Sequence, residues 1–175
     1  MSFCNFCACA YLAMISLSVD YALRAVVTIA RHQGAPCTAP QIAGATLIPA
    51  PYLSKLMQRL VRAGLVHSRR GAHGGFLLVN GPAEITIWDV VVAVESIKRI
   101  HRCPMGIASH GGQLCPLHRR LDLAIQMLEE QLRGTTIADL LAESGPITPL
   151  CDGTELPAKQ RDCGPNKQPK PRHRR

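Results

Sequence analysis

The residues best equipped for chemistry lie between His101 and His118, in HRCPMGIASHGGQLCPLH, where Cys103, Cys115, His110 and His118 share a glycine-rich stretch without helical periodicity. Thiolates are soft anionic donors, and a flexible loop can bring them together with imidazoles around a soft metal or an iron–sulfur cluster. The same thiols can instead answer to oxidants, through a disulfide between Cys103 and Cys115 or between subunits. A plainer reading also stands: Cys103 packs the loop, Cys115 is a buried helix cap and His118 is a surface helix position. No nucleophile with a base, carboxylate pair or phosphate-cradling loop occurs at usable spacing, so a binding protein is favoured over an enzyme.

A second group of residues suits phosphates and base edges. Between Pro51 and Arg62 the apolar residues Leu53, Leu56, Met57, Leu60 and Val61 recur at three- and four-residue spacing and predict an inward helix face. The opposite face carries Tyr52, Ser54, Lys55, Gln58, Arg59 and Arg62, a set of donors and cations. Just beyond it, Arg69-Arg70-Gly71-Ala72-His73-Gly74-Gly75 forms a cationic tip in which glycines allow close backbone approach to DNA.

The elements that must position these groups are legible around them. Thr38 is a good N-cap for a short helix with Ile42, Ala43 and Thr46 or Leu47 on one side, and Pro49 and Pro51 separate it from the recognition helix. Gly64 ends that helix, and residues 65–68 and 76–79 can pair as strands. The expected fold is therefore mainly α: a winged helix-turn-helix with a two-stranded wing. Upstream, a helix from Ser18 or Asp20 to His32 should carry Leu17, Tyr21, Ala25 and Ile29 as its stripe, and Cys37 should be a small buried hydrophobe. Downstream, Ile85, Trp88, Val91, Val92 and Ile97 suggest a helix from about Thr86 that leads away from the DNA-binding unit. Pro116 starts a long helix with a stripe of Leu117, Leu121, Ala124, Ile125, Leu128 and Leu132, which suggests a partner helix. Thr136 and Asp139 open a short last helix.

Three segments, SLSVDYALRAV from Ser16, YLSKLMQRLVRAGLV from Tyr52 and SRRGAHGGFLL from Ser68, resemble the Rrf-two family of bacterial winged-helix regulators. Its members include an iron–sulfur cluster regulator and a nitric-oxide-responsive repressor. The resemblance runs from about Met14 to Glu143. It implies a homodimer formed through the long helix and reading a palindromic operator in double-stranded DNA, as a transcriptional regulator, most simply a repressor. DNA contact then falls to Thr38, Tyr52, Ser54, Lys55, Gln58, Arg59, Arg69, Arg70 and His73. In cluster-binding members three cysteines occupy the loop, with a fourth ligand from a following histidine or from an acidic residue of the first helix. Here Cys103 and Cys115 match the outer cysteines and none lies between them, so His118, Asp20 and His110 are the candidates to complete a cluster or metal site. Regulation without a cluster, by thiol oxidation or constitutively, is the alternative, and a winged-helix module for protein contact is the reading from another class.

Composition is consistent with this. The 175 residues carry a net charge of +8, which favours an anionic partner, and a single core suffices for 47% hydrophobic content. No apolar run approaches the roughly 18 residues of a membrane span. Residues 1–13 hold Cys4, Cys7 and Cys9 ahead of Met14, where such chains usually begin, and are read as a disordered or mis-called start; they lack the features of a signal peptide, which points to the cytoplasm. The expected domain spans 14–145. Residues 146–175, with six prolines and seven Lys or Arg against three acids, read as a disordered basic tail that either adds nonspecific DNA affinity or serves only solubility.

Overall fold

A computed structural model describes residues 16–71, 73–106 and 112–143. The expectations for residues 1–13, for the basic tail and for His110 lie outside the described residues. The chain runs α1 (Leu17–Arg31), α2 (Ala39–Thr46), α3 (Ala50–Arg62), β1 (Val66–Arg69), β2 (Gly75–Leu78), α4 (Ile87–Val94), α5 (Pro116–Arg133) and α6 (Ile137–Ala142). The expected mainly helical winged helix-turn-helix is what forms. β1 and β2 pair antiparallel, with Val66 opposite Leu78 and Arg69 opposite Gly75.

Side-chain caps start four of the six helices. Ser16 accepts from the Val19 N–H to cap α1, while Thr38 with Gln41, Thr86 with Asp89 and Thr136 with Asp139 form three reciprocal capping boxes. In each box two orphan backbone N–H groups find side-chain oxygens, which fixes where the helix begins. α3 has no side-chain cap; a proline in its first turn stands in place of one such donor.

The core gathers around α1, which touches α2, α3, β2, α4 and α6. Surrounded in this way, α1 buries Val19, Ala22, Ala25, Val26, Val27, Ile29 and Ala30. The expected stripe is corrected accordingly: Leu17 is exposed, Tyr21 is only partly covered, and the buried arc is broader because neighbours pack on more than one side. α4 also differs from expectation. It does not lead away but packs on α1 and α3, with Trp88, Val90, Val91 and Val94 buried. A helix apolar nearly all round is satisfied only by such a position. Val92 remains exposed, and the chain turns extended at Glu95, so Ile97 reaches the core from outside the helix. α6 closes the domain: Ile137, fully buried, donates to the Ile85 carbonyl, and Ile87 donates to Thr135.

The wing is anchored at its base. Cys37 donates to the Phe76 carbonyl at 3.0 Å and Phe76 donates back at 2.8 Å, so the segment before α2 adds a bridge to β2. A Cβ on Gly75 would stand 2.8 Å from the Cys37 carbonyl oxygen, which explains glycine at that position. Cys37 is the small buried hydrophobe expected, and burial pushes its thiol pKa up.

The segment between α4 and α5 has few apolar residues to fold on and is held by charge. The Arg99 guanidinium donates to both oxygens of Asp122 on α5, at 2.7 and 2.6 Å, and to Gln126 at 3.0 Å. The Ile100 N–H donates to the same carboxylate at 2.8 Å. These bonds, the Arg99 bond foremost, hold the Asp122 carboxyl down to about 2. A carboxylate whose folded value lies below its unfolded value of about 3.9 stabilises the fold fully above that value and loses the contribution as pH falls toward 2. Asp122→Asn should therefore be less stable than wild type at pH 7, and the difference should close as pH drops from about 4 to 2. Denaturation midpoints across that range are the check; a difference that does not change with pH would refute the clamp.

Candidate nucleic-acid interface and thiol site

The outward face of α3 carries Ser54, Lys55, Gln58, Arg59 and Arg62, all exposed, with Tyr52 half-buried at its edge. Leu53, Leu56, Met57 and Leu60 point into the core, but Val61, expected among them, is 38% exposed. Ser54, Lys55 and Gln58 are exposed and make no hydrogen bond or ion pair with a described residue, which leaves their polar groups free for a ligand. Tyr52 and Arg59, also expected at the interface, have partners within the domain. The Tyr52 hydroxyl lies 2.5 Å from Ser18 Oγ and its ring meets Tyr21 edge-on at 5.4 Å, while Arg59 Nη1 donates to the Val94 carbonyl at 3.1 Å. Seven residues apart, the two side chains lie on one flank of α3 and bind it to α1 and α4. Both help to position the helix, and Arg59 stays exposed while Tyr52 is half-buried. Thr38 is likewise engaged, since its hydroxyl donates to Gln41 Oε1 at 2.7 Å and accepts from the Gln41 N–H.

At the wing tip Arg69, Arg70 and His73 are exposed. The turn is tight: Gly74 donates to the Gly71 carbonyl at 2.9 Å, and a Cβ on Gly74 would fall 2.3 Å from the Arg69 carbonyl oxygen. The tip thus carries three exposed cationic or titratable side chains.

The loop cysteines and His118 converge. Cys115 is the N-cap of α5 and His118 stands three residues on, the spacing at which cap and first-turn side chains face one another. His118 Nδ1 lies 3.2 Å from Cys115 Sγ and 3.8 Å from Cys103 Sγ. All three residues are half-buried. Donors on one tetrahedral ion with metal–sulfur and metal–nitrogen bonds of about 2.3 and 2.0 Å stand roughly 3.6 Å apart, so these two edges have the right length for a shared ligand. As they stand the three do not form a metal-binding group: among the described residues no group of three or more His, Cys, Asp or Glu is arranged to hold a metal ion. Asp20, expected as a ligand, pairs with Arg24 at 2.9 Å one turn along α1. The residue that sequence reasoning missed is Asp122, which brings the Cys103 segment to α5. An acid between Leu121 and Leu123 in an apolar-rich helix was the available signal.

Comparison with known proteins gives these features a common setting. The Rrf2 family model, described as an iron-dependent transcriptional regulator, matches residues 15–143. The transcriptional regulator IscR of Serratia proteamaculans is 32% identical over 122 residues, covering 69% of this chain and 74% of its own. Among solved structures, IscR of T. potens matches with a TM-score of 0.62 at 27% identity, over 78% of this chain and 91% of that one. CymR, the global cysteine regulator of B. subtilis, matches with a TM-score of 0.61 at 29% identity, over 75% and 98%. Among the described residues no helix is long and apolar enough to cross a membrane. The chain belongs to the Rrf2 family of winged helix-turn-helix transcriptional regulators, proteins that bind DNA and are not enzymes.

Proposed function

We propose that the chain is a homodimeric repressor that recognises a palindromic operator and changes its DNA affinity through the thiol site at the start of α5. The observation that carries this reading is the seating of Cys103 and Cys115 around His118 at one end of a helix that rests on α4 along one side and leaves apolar side chains exposed elsewhere. No residue of α5 is fully buried, and Leu117, Leu121, Leu123, Met127 and Leu128 are exposed. Of these, Leu117, Leu121 and Leu128 fall on one stripe, and an exposed apolar stripe of this kind suits a surface that another chain covers. A two-fold pairing of α5 would present two recognition helices to successive major-groove half-sites.

In this assignment residues 14–145 form the regulatory unit, working in the cytoplasm, with the basic tail adding charge. Ser54, Lys55 and Gln58 read the groove, Arg69, Arg70 and His73 contact the backbone at the wing, and Thr38, Tyr52 and Arg59 hold the helices at the interface. Cys103, Cys115 and His118 would hold an iron–sulfur cluster or a single soft ion, with His110 or Asp20 as the remaining ligand. Such a group supplies chemistry that responds to iron supply, nitric oxide or oxygen. The protein's part is mechanical. Cys103 belongs to the segment that Arg99 clamps to α5, and Cys115 and His118 belong to α5 itself, so occupancy biases how the winged unit sits on the dimer helix. Direct thiol oxidation is the second reading, favoured by the 3.2 Å contact between Cys115 Sγ and His118 Nδ1.

Replacing Lys55 or Arg70 by Ala should weaken binding to every duplex and lower the slope of log affinity against log salt by about one each. An unchanged slope in both variants contradicts the interface. For the sensor, wild type and the Cys103→Ala, Cys115→Ala double variant, both prepared without oxygen, should differ in operator affinity and in bound iron, sulfide or zinc. Thiol oxidation predicts no metal but peroxide-sensitive binding in wild type alone. Equal affinity, no metal and no peroxide response in both would remove the sensing role.

A further inference from the structure

Between α2, α3 and the base of the wing lies an open groove of about 590 Å³. Ala43, Met57, Val61 and Phe76 supply its apolar walls. Met57 is 2% exposed and forms part of the core, whereas Val61 at 38% stands open to solvent. The polar side is formed by Ser54, Gln58 and Arg62, and no carboxylate lines the groove. Arg62 is exposed and makes no ion pair with a described residue.

Size and charge together select the occupant. The volume falls within the roughly 300–1,000 Å³ typical of small-ligand sites. An amphipathic helix would need a longer trough with anchors spread over two or more turns. The apolar walls suit a ring or short alkyl body, and a free guanidinium beside hydroxyl and amide donors suits one anionic group. We infer that the groove binds a small amphipathic organic anion, of the class of aromatic or medium-chain carboxylates, and that its occupancy displaces DNA. The displacement follows because Ser54 and Gln58 line the groove and also belong to the free face of α3; this half rests on the assignment of that face to DNA contact. The groove is then an effector site on the reading head itself, distinct from the thiol site on α5.

The test uses the full chain, naphthoate as the anionic probe and naphthamide as its neutral counterpart, followed by naphthalene fluorescence anisotropy. Naphthoate should bind one site per chain, about tenfold tighter than the amide, since a hydrogen-bonded charge contributes on that scale. Arg62→Gln should erase the difference while leaving the amide affinity unchanged, and Ala43→Phe, which fills the groove, should abolish binding of both. In parallel, naphthoate should release a labelled mixed-sequence duplex at low salt. No saturable binding, equal affinity for acid and amide, or binding unaffected by both variants would overturn the site. Saturable binding without release of DNA would overturn the competition alone. A chain that binds naphthoate but no DNA at all would refute the DNA interface and leave the groove established.

Discussion

The bidentate pair between Arg99 and Asp122 is the contact on which the placement of the loop depends. The segment after Val94 leaves the core in an extended conformation and has little apolar surface of its own. A planar guanidinium matched to both carboxylate oxygens supplies direction as well as energy, and the Ile100 N–H on the same carboxylate fixes the backbone. That geometry delivers Cys103 to within 3.8 Å of His118. The thiol site is consequently built from one tethered segment and one helix end, and any change in it acts directly on α5.

A second constraint governs the reading head. α3 is rigid toward its own domain on one flank, where Tyr52 meets Ser18 and Arg59 meets the Val94 carbonyl, and free on the face that holds Ser54, Lys55 and Gln58. Immobilised flanks matter for recognition, because a helix that rocks cannot hold donors in register with base edges. The Val94 contact also ties α3 to the end of α4, from which the clamped segment departs. The head, the loop and α5 thus form one mechanical series, and the groove beside Arg62 opens on the head's outer side.

Much of this was legible in residues that act locally. Thr38, Thr86 and Thr136 announce helix starts by side chains that satisfy backbone three residues away, and Gly74 announces a turn because a Cβ would strike Arg69. The apolar spacing of Leu53, Leu56, Met57 and Leu60 names the inward face of α3 correctly. What spacing cannot convey is what lies beside a helix flank. That Tyr52 meets Ser18 and Arg59 meets the Val94 carbonyl is visible only once α1 and α4 are in place. α4 looked like an exit from the domain, since an all-round apolar helix of eight residues does not reveal which neighbours enclose it. The Arg99–Asp122 pair, 23 residues apart, leaves no local pattern at all. The convergence of Cys103, Cys115 and His118 was anticipated by residue type, and its distances come only from the folded chain.

The mechanical series has a purpose only if α5 joins two chains. In the proposed dimer the exposed Leu117, Leu121 and Leu128 would form the seam, where a buried unpaired carboxylate would be costly enough to part the subunits. Light scattering of the purified protein and of Leu128→Glu measures this directly. A seam through α5 gives wild type a mass of twice 19.0 kDa and the variant a mass near 19.0 kDa with its helical signal retained. A monomeric wild type, or a variant that stays dimeric, would contradict it.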